Sequence, residues 1–335
     1  MIISTEVNAR AGLLGNPSDI YGGKVISFII ENFSTRVRIW ESPQLAIHLN
    51  PEHDRTEFAD LDDLLASVRR HGYYGMQRVL FAACCRFATY CHERGISLRK
   101  ANFSIDYDTN IPRQSGLGGS SAVIIAVLRA LIRFYRLASS AIPPSELADL
   151  ALSVETQELE IAAGPQDRVV QAYGGLTYMD FSGSQGKYER LDSALLPRFG
   201  LAHVTEKHLG SQESGQVHAP LRRRWDRGDP EVKRAMREMA RCAELGVQAL
   251  RTRNAAELGR LMHRNYDLRR RLFGEGGLER HNIRLVDIAR AAGFSAKLPG
   301  SGGAALVLLD DGGSEEALAQ NYEAEGYVYS PIRAR

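Results

Sequence analysis

The sequence is short of the features that mark membrane, secreted and nucleic-acid-binding proteins. Its 335 residues include only 4 cysteines and 8% aromatic residues, and the formal net charge is +2. No apolar run approaches the roughly 20 residues of a membrane span, and no basic segment followed by an apolar one opens the chain. No aromatic residues are interleaved with the basic runs, as nucleic-acid binding would favour. We therefore expect a cytoplasmic protein with neither a nucleic-acid nor a membrane partner.

The few cysteines also lack the spacing of a metal site or a disulfide framework. Cys84, Cys85 and Cys91 fall within one predicted helix, and Cys242 lies far from them in the chain. Adjacent cysteines cannot easily pair, and no Cys-x-x-Cys spacing suggests zinc. Reduced thiols in a cytoplasmic enzyme are the expectation.

What the sequence does contain is a glycine-rich loop directly before an apolar helix. Residues 111–118 read Ile-Pro-Arg-Gln-Ser-Gly-Leu-Gly, and Gly119, Ser120 and Ser121 lead into an apolar run over residues 123–131. Backbone N–H groups of such a loop can converge on an anion, and the helix dipole adds positive charge there. Residues 102–108 alternate like a half-buried strand, so strand, loop and helix come in the order of a phosphate loop. The alternative is an ordinary turn with Ser120 or Ser121 as the helix N-cap.

Neither common nucleotide motif describes this loop. No Gly-Lys-Ser/Thr follows the glycines, and Gly-x-Gly-x-x-Gly does not fit. The stretch instead resembles the second signature of the GHMP kinases, Pro-x-x-x-Gly-Leu-Gly-Ser-Ser-Ala, with glycine in place of the first serine. The second serine, which ligates magnesium in that superfamily, corresponds to Ser120. The resemblance implies ATP binding by Pro112, Gly116, Leu117, Gly118, Gly119, Ser120 and Ser121.

Residues 7–23 resemble the first signature of this superfamily as galactokinases carry it. On that resemblance Arg10 is a catalytic residue near the transferred phosphoryl group, and Asp19 accepts hydrogen bonds from sugar hydroxyls, a task that suits a carboxylate. Asn16 replaces a Glu that faces the C6 end of the sugar, so a carboxylate there would be tolerated. Tyr21 and Gly22 are also assigned to substrate binding. A surface hairpin is the alternative interpretation of this segment.

Residues 297–304, Lys-Leu-Pro-Gly-Ser-Gly-Gly-Ala, resemble the third signature, Lys-x-Thr-Gly-Ala-Gly-Gly. Pro299 replaces the usual threonine. The resemblance implies that this loop backs the phosphate site. Gly300, Ser301 and Gly302 are assigned to substrate binding.

Two acidic residues complete the pattern. Glu155 and Asp167 lie twelve positions apart across a predicted helix end, which matches the magnesium-ligating Glu and the catalytic Asp of the superfamily. Mg²⁺ prefers hard oxygen ligands and keeps water and phosphate oxygens, so Ser120 and Glu155 suffice as its protein ligands. Asp167 would then orient the acceptor hydroxyl and take its proton. For Glu155 alone, a solvated helix face is the alternative.

Within the superfamily, residues 14–19, 72–75, 107–114, 166–169 and 269–274 look like those of glucuronokinases. The resemblance implies an ATP-dependent kinase that phosphorylates the anomeric hydroxyl of D-glucuronate, a sugar acid. A uronate needs a cationic partner, and Arg113, Arg168 and Lys24 are the candidates. A kinase for galacturonate, another aldose or a heptose phosphate remains open, as does a non-catalytic sugar or nucleotide sensor.

The resemblance also implies an α+β fold of two lobes. The N-terminal lobe would be ribosomal S5 domain 2-like and the C-terminal lobe ferredoxin-like. We place an ATP- and sugar-binding domain at residues 1–185 and a C-terminal domain at residues 186–335. Oligomeric state cannot be read from the sequence.

Local patterns predict the individual elements. Strands are expected at residues 25–30, 36–40 and 45–49. Helices are expected at residues 61–70, 76–93, 145–164, 231–253, 255–273 and 278–292, with Ser145 and Asn254 as N-caps and Gly293 as a C-terminal cap. Either Tyr73 or Tyr74 could stack on adenine, with core packing as the alternative. The basic cluster at residues 269–271 is expected to be solvated or salt-bridged.

Overall fold

The computed structural model describes residues 1–51, 54, 56–61, 63–65, 67, 75–138, 140–205, 214–310 and 313–334. They form two compact units, each assembled from separated stretches of chain. The first unit comprises Met1–Ala9, Phe33–Ile111 and Gly119–Ala172, and the second comprises Arg10–Asn32, Pro112–Gly118 and Tyr173–Arg335. A domain boundary between residues 185 and 186 stays a prediction.

Two long, paired strands contribute to both units. These are β1 (Ile2–Leu14) and β2 (Lys24–Glu41). Two separate strands were expected over residues 25–30 and 36–40, but β2 is continuous. Residues 31–35 contain neither glycine nor proline, so nothing there forces a turn.

In the first unit, the later half of β2 pairs antiparallel with β4 (Phe103–Thr109), and β4 pairs parallel with the short β3 (Ala46–Ile47). Helices α1 (Gln77–Glu93), α2 (Gly119–Phe134) and α3 (Pro144–Ser153) pack together in this unit. Residues 121–128 of α2 are all buried, as an all-round apolar helix requires. Thr5 Oγ1 donates to the Ala126 carbonyl at 2.8 Å and ties α2 to β1.

The helix predicted over residues 145–164 ends early. Helix α3 has Pro143 rather than Ser145 at its N-cap, and after Ser153 the chain forms a π-turn, Val154–Glu158. Such a turn shifts the side-chain phase by about one residue, and Glu155 is buried while Glu158 is exposed. A short helix that was not predicted, α4 (Gln166–Tyr173), follows.

The later strands of the chain belong to the second unit. They are β5 (Leu176–Asp180), β6 (Lys187–Leu191), β7 (Phe199–His203), β8 (Ser295–Lys297), β9 (Ala304–Leu308) and β10 (Val328–Pro331). Four of them form an antiparallel sheet in the order β10-β7-β9-β8. Helices separate β7 from β8 and β9 from β10, which gives the predicted ferredoxin-like order. The first half of β2 pairs with β5, and β5 pairs with β6, in the same unit.

Three helices of this unit largely follow the predicted bounds: α6 (Pro230–Arg251), α7 (Ala255–Leu278) and α8 (Arg280–Ala291). Two others, α5 (Ser214–Asp226) and α9 (Glu315–Ala324), were not predicted. Asn254 caps α7 by accepting from the Glu257 N–H at 3.0 Å, as predicted. Helix α7 continues past Phe273, although Gly274 breaks its regular backbone at φ 66°. Gly293, at φ 86°, follows the end of α8 as expected.

Part of the sequence interpretation falls on residues that are not described. Tyr73, Tyr74 and part of the helix predicted over residues 61–70 lie outside the described residues. Within the described ranges, no helix has both the length and the apolar character needed to cross a bilayer.

Candidate active site

The first unit brings Ser120, Glu155, Asp167 and Arg168 into one connected cluster. Ser120 lies in the first turn of α2, so it is not the N-cap, and its Oγ donates to Glu155 Oε1 at 3.0 Å. Arg168 forms an ion pair with Glu155, and its Nη1 lies 3.7 Å from Asp167 Oδ2. The same Nη1 donates to the Gly164 carbonyl at 2.6 Å. Three separated elements, α2, the π-turn and α4, therefore place their polar side chains together.

The chemistry of this cluster fits a magnesium ion held jointly with a ligand. Ser120 Oγ and the Glu155 carboxylate are hard oxygen donors of the kind that Mg²⁺ prefers. In the part of the chain that the structure describes, no group of three or more His, Cys, Asp or Glu residues could hold a metal alone. Phosphate oxygens and water would have to complete the coordination, which is usual for Mg²⁺.

Arg168, which was predicted to bind substrate, forms an ion pair with Glu155 of the same chain. The side chains of Arg168 and Glu155 are each only 6% exposed, whereas that of Asp167 is 16% exposed. A buried guanidinium paired with a buried carboxylate is held firmly in place, because separating them leaves both charges unpaired. Arg168 is thus engaged with carboxylates of this chain.

In the second unit, the phosphate loop (Pro112–Gly118) lies directly against the third-signature loop (residues 298–303). A Cβ built on Gly300 would lie 1.8 Å from the Gly116 carbonyl oxygen, and one on Gly303 would lie 1.9 Å from the Gln114 carbonyl oxygen. Gly116 itself has φ 63°, a conformation that favours glycine. The glycines at these positions permit a contact of backbone on backbone. Leu117, 1% exposed, anchors the phosphate loop in the core.

Arg10 links these two loops. It is 4% exposed, and its Nη1 donates to the carbonyls of Gly116 at 2.5 Å and Pro299 at 3.2 Å. Its backbone N–H also donates to the Leu117 carbonyl at 3.0 Å. These contacts position the loops, and a contact between Arg10 and a transferred phosphoryl group stays a prediction.

Asn16 lies in the interior, at 1% exposure. Its Oδ1 accepts from Lys297 Nζ at 2.7 Å, and the same ammonium donates to the carbonyls of Gly12 at 2.9 Å and Leu298 at 2.8 Å. Three acceptors around one nitrogen match the three protons of a charged lysine. The observed partners give Asn16 a structural role, and its contact with a sugar stays a prediction.

Several buried polar residues that hold these loops were missed at the level of sequence. Arg269, expected to be solvated or salt-bridged, is 2% exposed and donates to the carbonyls of Gly300 at 2.6 Å and Ser301 at 2.7 Å. Asn265, one turn earlier on α7, accepts from the Gly15 N–H at 2.7 Å. Asn282 on α8 accepts from the Gly303 N–H at 2.6 Å.

A signal for two of these residues is present in α7. Buried apolar residues occupy positions 258, 261, 262 and 272 of this helix, and Asn265 and Arg269 fall on the same stripe at helical spacing. A polar residue within an apolar stripe is buried by its neighbours and must find partners inside the protein.

The buried cations create a positive interior beneath the loops. Burial lowers the pKa of Arg269 to about 10. Burial, together with the nearby charges of Arg269 and Arg10, lowers the pKa of Lys297 well below its ordinary value. Within the described residues, neither Arg269 nor Lys297 forms an ion pair with a carboxylate. Uncompensated positive charge at this depth favours an anion on the loop surface above it.

The predicted sugar-binding residues occupy a 3-10 turn, Ser18–Tyr21, in the same unit. Asp19 is 3% exposed, and Gly22 ends the turn at φ 71°. The ring of Tyr21 lies 4.8 Å from that of Trp225. Its hydroxyl is buried and finds no hydrogen-bond partner among the described residues, and burial raises its pKa to about 12.

The remaining basic candidates differ in their surroundings. Lys24 forms ion pairs with Glu244 and, at 3.4 Å, with Asp180. Arg113 is half-buried within the phosphate loop. Of the three candidates for a uronate carboxylate, Lys24 and Arg168 thus already hold carboxylates of this chain.

Comparison with known sequences gives consistent matches. Residues 80–175 match the model of the GHMP kinases N terminal domain, and residues 247–328 match that of the GHMP kinases C terminal. The chain is 42% identical over 332 residues to Glucuronokinase 1 of Arabidopsis thaliana, which covers 97% of the chain and 90% of that protein. It is 43% identical over 333 residues to Probable glucuronokinase 2 of the same plant, with 97% and 89% covered.

Solved structures share the fold at low sequence identity. The mevalonate kinase of Methanococcus jannaschii superposes with a TM-score of 0.72 at 20% identity, covering 100% of this chain and 99% of that one. The galactokinase of Lactococcus lactis, complexed with galactose, gives a TM-score of 0.72 at 18% identity, with 100% and 93% covered.

Proposed function

Because the chain belongs to the GHMP kinases, we propose that it transfers the γ-phosphoryl group of ATP to the anomeric hydroxyl of D-glucuronate, giving glucuronate 1-phosphate and ADP. The observation that carries this proposal is the 42% identity to Glucuronokinase 1 over 97% of the chain. The cluster of Ser120, Glu155 and Asp167 supports it, because these are the oxygen groups that phosphoryl transfer to an alcohol requires.

Asp167 is the general base of the proposed reaction. Its carboxylate accepts the proton of the anomeric hydroxyl while that oxygen bonds to the γ-phosphorus, and the bond from phosphorus to the β,γ-bridging oxygen breaks to release ADP. Asp167 is the most exposed acidic group of its cluster, at 16%, so a hydroxyl can approach it.

Ser120 Oγ and Glu155 would hold Mg²⁺ together with phosphate oxygens, and the metal when bound supplies charge neutralisation of the phosphates. In that arrangement the Glu155 carboxylate would contact both the metal and Arg168. Backbone N–H groups of the phosphate loop are donors suited to phosphate oxygens. Positioning and charge neutralisation thus carry most of the proposed catalysis.

The sugar end of the proposal rests on Asp19 and on one of three basic residues. Asp19 would accept hydrogen bonds from sugar hydroxyls, while Tyr21 and Gly22 shape the turn beside it. The candidates for the uronate carboxylate are Arg113, Arg168 and Lys24, and both Lys24 and Arg168 also form ion pairs with carboxylates of the chain. An arginine suits this role because its planar donors match a carboxylate in two places.

The test is ADP release with Mg-ATP against glucuronate, galacturonate, glucose, galactose and mevalonate, with the phosphorylated position read by NMR. We expect turnover with glucuronate and phosphate on the anomeric oxygen. Faster turnover of a neutral sugar would leave the kinase in place and remove the uronate assignment. ATP binding without turnover of any acceptor would favour the sensor alternative.

A further inference from the structure

Arg269 forms hydrogen bonds to two consecutive peptide groups of the third-signature loop. Its Nη1 and Nη2 donate to the carbonyls of Gly300 and Ser301 at 2.6 and 2.7 Å. A trans peptide directs its N–H opposite to its C=O. The N–H groups of Ser301 and Gly302, which belong to these same two peptides, therefore point away from Arg269.

These two N–H groups lie on the side of the phosphate loop. A Cβ built on Gly116 would lie 2.8 Å from the Ser301 nitrogen and 3.0 Å from the Gly302 nitrogen. Neither N–H has an acceptor among the described residues. Gly302 is buried and Ser301 is half-buried. A buried backbone donor without a partner is rare, so the Gly302 N–H, with that of Ser301 beside it, indicates a place for an external acceptor. Successive N–H groups of this kind bind anions.

Stability alone does not account for an arginine at this position. Its side chain is fully buried, its Nε has no hydrogen-bond partner, and no carboxylate pairs with it in the described part of the chain. Its guanidinium carbon lies 5.5 Å from the centre of the Phe273 ring. An uncompensated buried charge costs free energy that a neutral side chain would avoid. The charge and the paired donors instead suit an anion on the far side of the loop.

We propose that Arg269 is a positioning residue of the phosphoryl transfer: it turns the N–H groups of Ser301 and Gly302 toward the phosphate loop, where they donate to an anionic oxygen of a bound ligand. Two ligands of the proposed function carry such oxygens, the nucleotide phosphates and the uronate carboxylate. For the uronate carboxylate, this inference rests on the proposed function; for the nucleotide phosphates, it does not.

The test uses Arg269→Gln and Arg269→Lys in the full chain, with Arg271→Gln as the matched control. Arg271 lies on the same helix and is exposed. ADP affinity is measured by calorimetry without any acceptor, and the KM for glucuronate is measured separately. We expect Arg269→Gln to weaken ADP binding or raise the glucuronate KM about 10-fold, which is the size of one or two lost hydrogen bonds. In Arg269→Lys the loss should be smaller than in Arg269→Gln, because an ammonium can still donate to one of the two carbonyls.

The two measurements separate the sources of the anion. A loss confined to ADP assigns the N–H pair to the nucleotide phosphates, and a loss confined to the glucuronate KM assigns it to the carboxylate. Guanidinium at millimolar concentration should restore part of the loss in Arg269→Ala, while the same concentration of NaCl should not. Wild-type ADP affinity and glucuronate KM in a folded Arg269→Gln or Arg269→Lys would overturn the proposal. If the chain turned over no uronate, the ADP measurement would still test it.

Discussion

Gly300 and Gly116 meet through their backbones, with no room for a side chain between them. The Cβ of a residue at position 300 would lie 1.8 Å from the Gly116 carbonyl oxygen, far inside van der Waals contact. Arg10, which lies in the first signature segment, donates to that same carbonyl at 2.5 Å. One oxygen atom thus joins the first, second and third signature segments.

Gly300→Ala should therefore separate the phosphate loop from the third-signature loop. Because the obstructing atom belongs to the backbone, we expect a loss of about 1–3 kcal/mol in the free energy of unfolding, as for overpacking in a core, and a lower affinity for ADP. Denaturant unfolding and ADP calorimetry measure the two effects. The control is Gly313→Ala, whose Cβ would lie 3.4 Å from its nearest neighbour, the Ala292 carbonyl oxygen. Wild-type behaviour of both variants would show that the loops can move apart freely.

Asp167→Asn should lower kcat by about 10²-fold or more, the usual size of general-base catalysis. The amide has nearly the same shape but cannot accept the hydroxyl proton, so ATP affinity should stay near that of the wild type. Steady-state kinetics with saturating Mg-ATP, together with ADP calorimetry, make the measurement. Glu158→Gln, which replaces an exposed acidic residue of the neighbouring π-turn, serves as the control. Unchanged turnover in Asp167→Asn would remove the assigned role.

Arg168→Met should lower the free energy of unfolding by about 3–5 kcal/mol, because it leaves the buried Glu155 carboxylate unpaired. The double variant Arg168→Met/Glu155→Leu should recover part of this loss, since it buries no charge. Urea unfolding monitored by circular dichroism gives both values. In Arg251→Met, which breaks an exposed pair with Glu189 (46% and 50% exposed), the loss should stay below about 1 kcal/mol. Equal losses for the two arginine variants would contradict the buried pair.

Lys297→Met should change how stability depends on alkaline pH. The pKa of Lys297 is lowered by burial and by Arg269 and Arg10, so between this folded pKa and the unfolded value of 10.5 the unfolded chain holds more protons. Wild-type stability should then rise with pH relative to the variant, which has no titrating group at this position. Urea unfolding of both chains at several pH values up to about 10.5 measures the difference. Parallel curves would show that the lysine titrates normally.

Locally encoded features were predictable from the sequence. The apolar periodicity over residues 76–93 matches α1, and Asn254 and Gly293 mark helix ends where expected. These signals act within one or two turns of chain, so they need no tertiary information. The early end of α3 was not predictable in this way. The π-turn accompanies contacts that Glu155 makes with Ser120 and Arg168, and these partners lie in other elements.

The candidate site likewise combines features that are encoded locally with contacts that depend on the tertiary fold. The glycine spacing identified the phosphate loop, but nothing in it predicts that Gly300 would touch Gly116. A run of three arginines at residues 269–271 looks like a solvated face, and Arg270 does approach Asp287 at 3.5 Å. Arg269 is buried because α7 packs its apolar stripe inward, which only the tertiary fold decides. Charge patterns predict surfaces well and buried cations poorly.

The contacts of Arg10 also set an order of events during synthesis. Arg10 and Pro299 are 289 residues apart in the chain, and Lys297 and Gly12 are separated by 285. At ribosomal rates of about 5–20 residues per second, the amino-terminal segment waits about 15–60 s for these partners to be made. During that interval its buried arginine and apolar strand residues have no native partner in the third-signature loop. These native contacts of the amino-terminal segment therefore form only after the third-signature loop has left the ribosome.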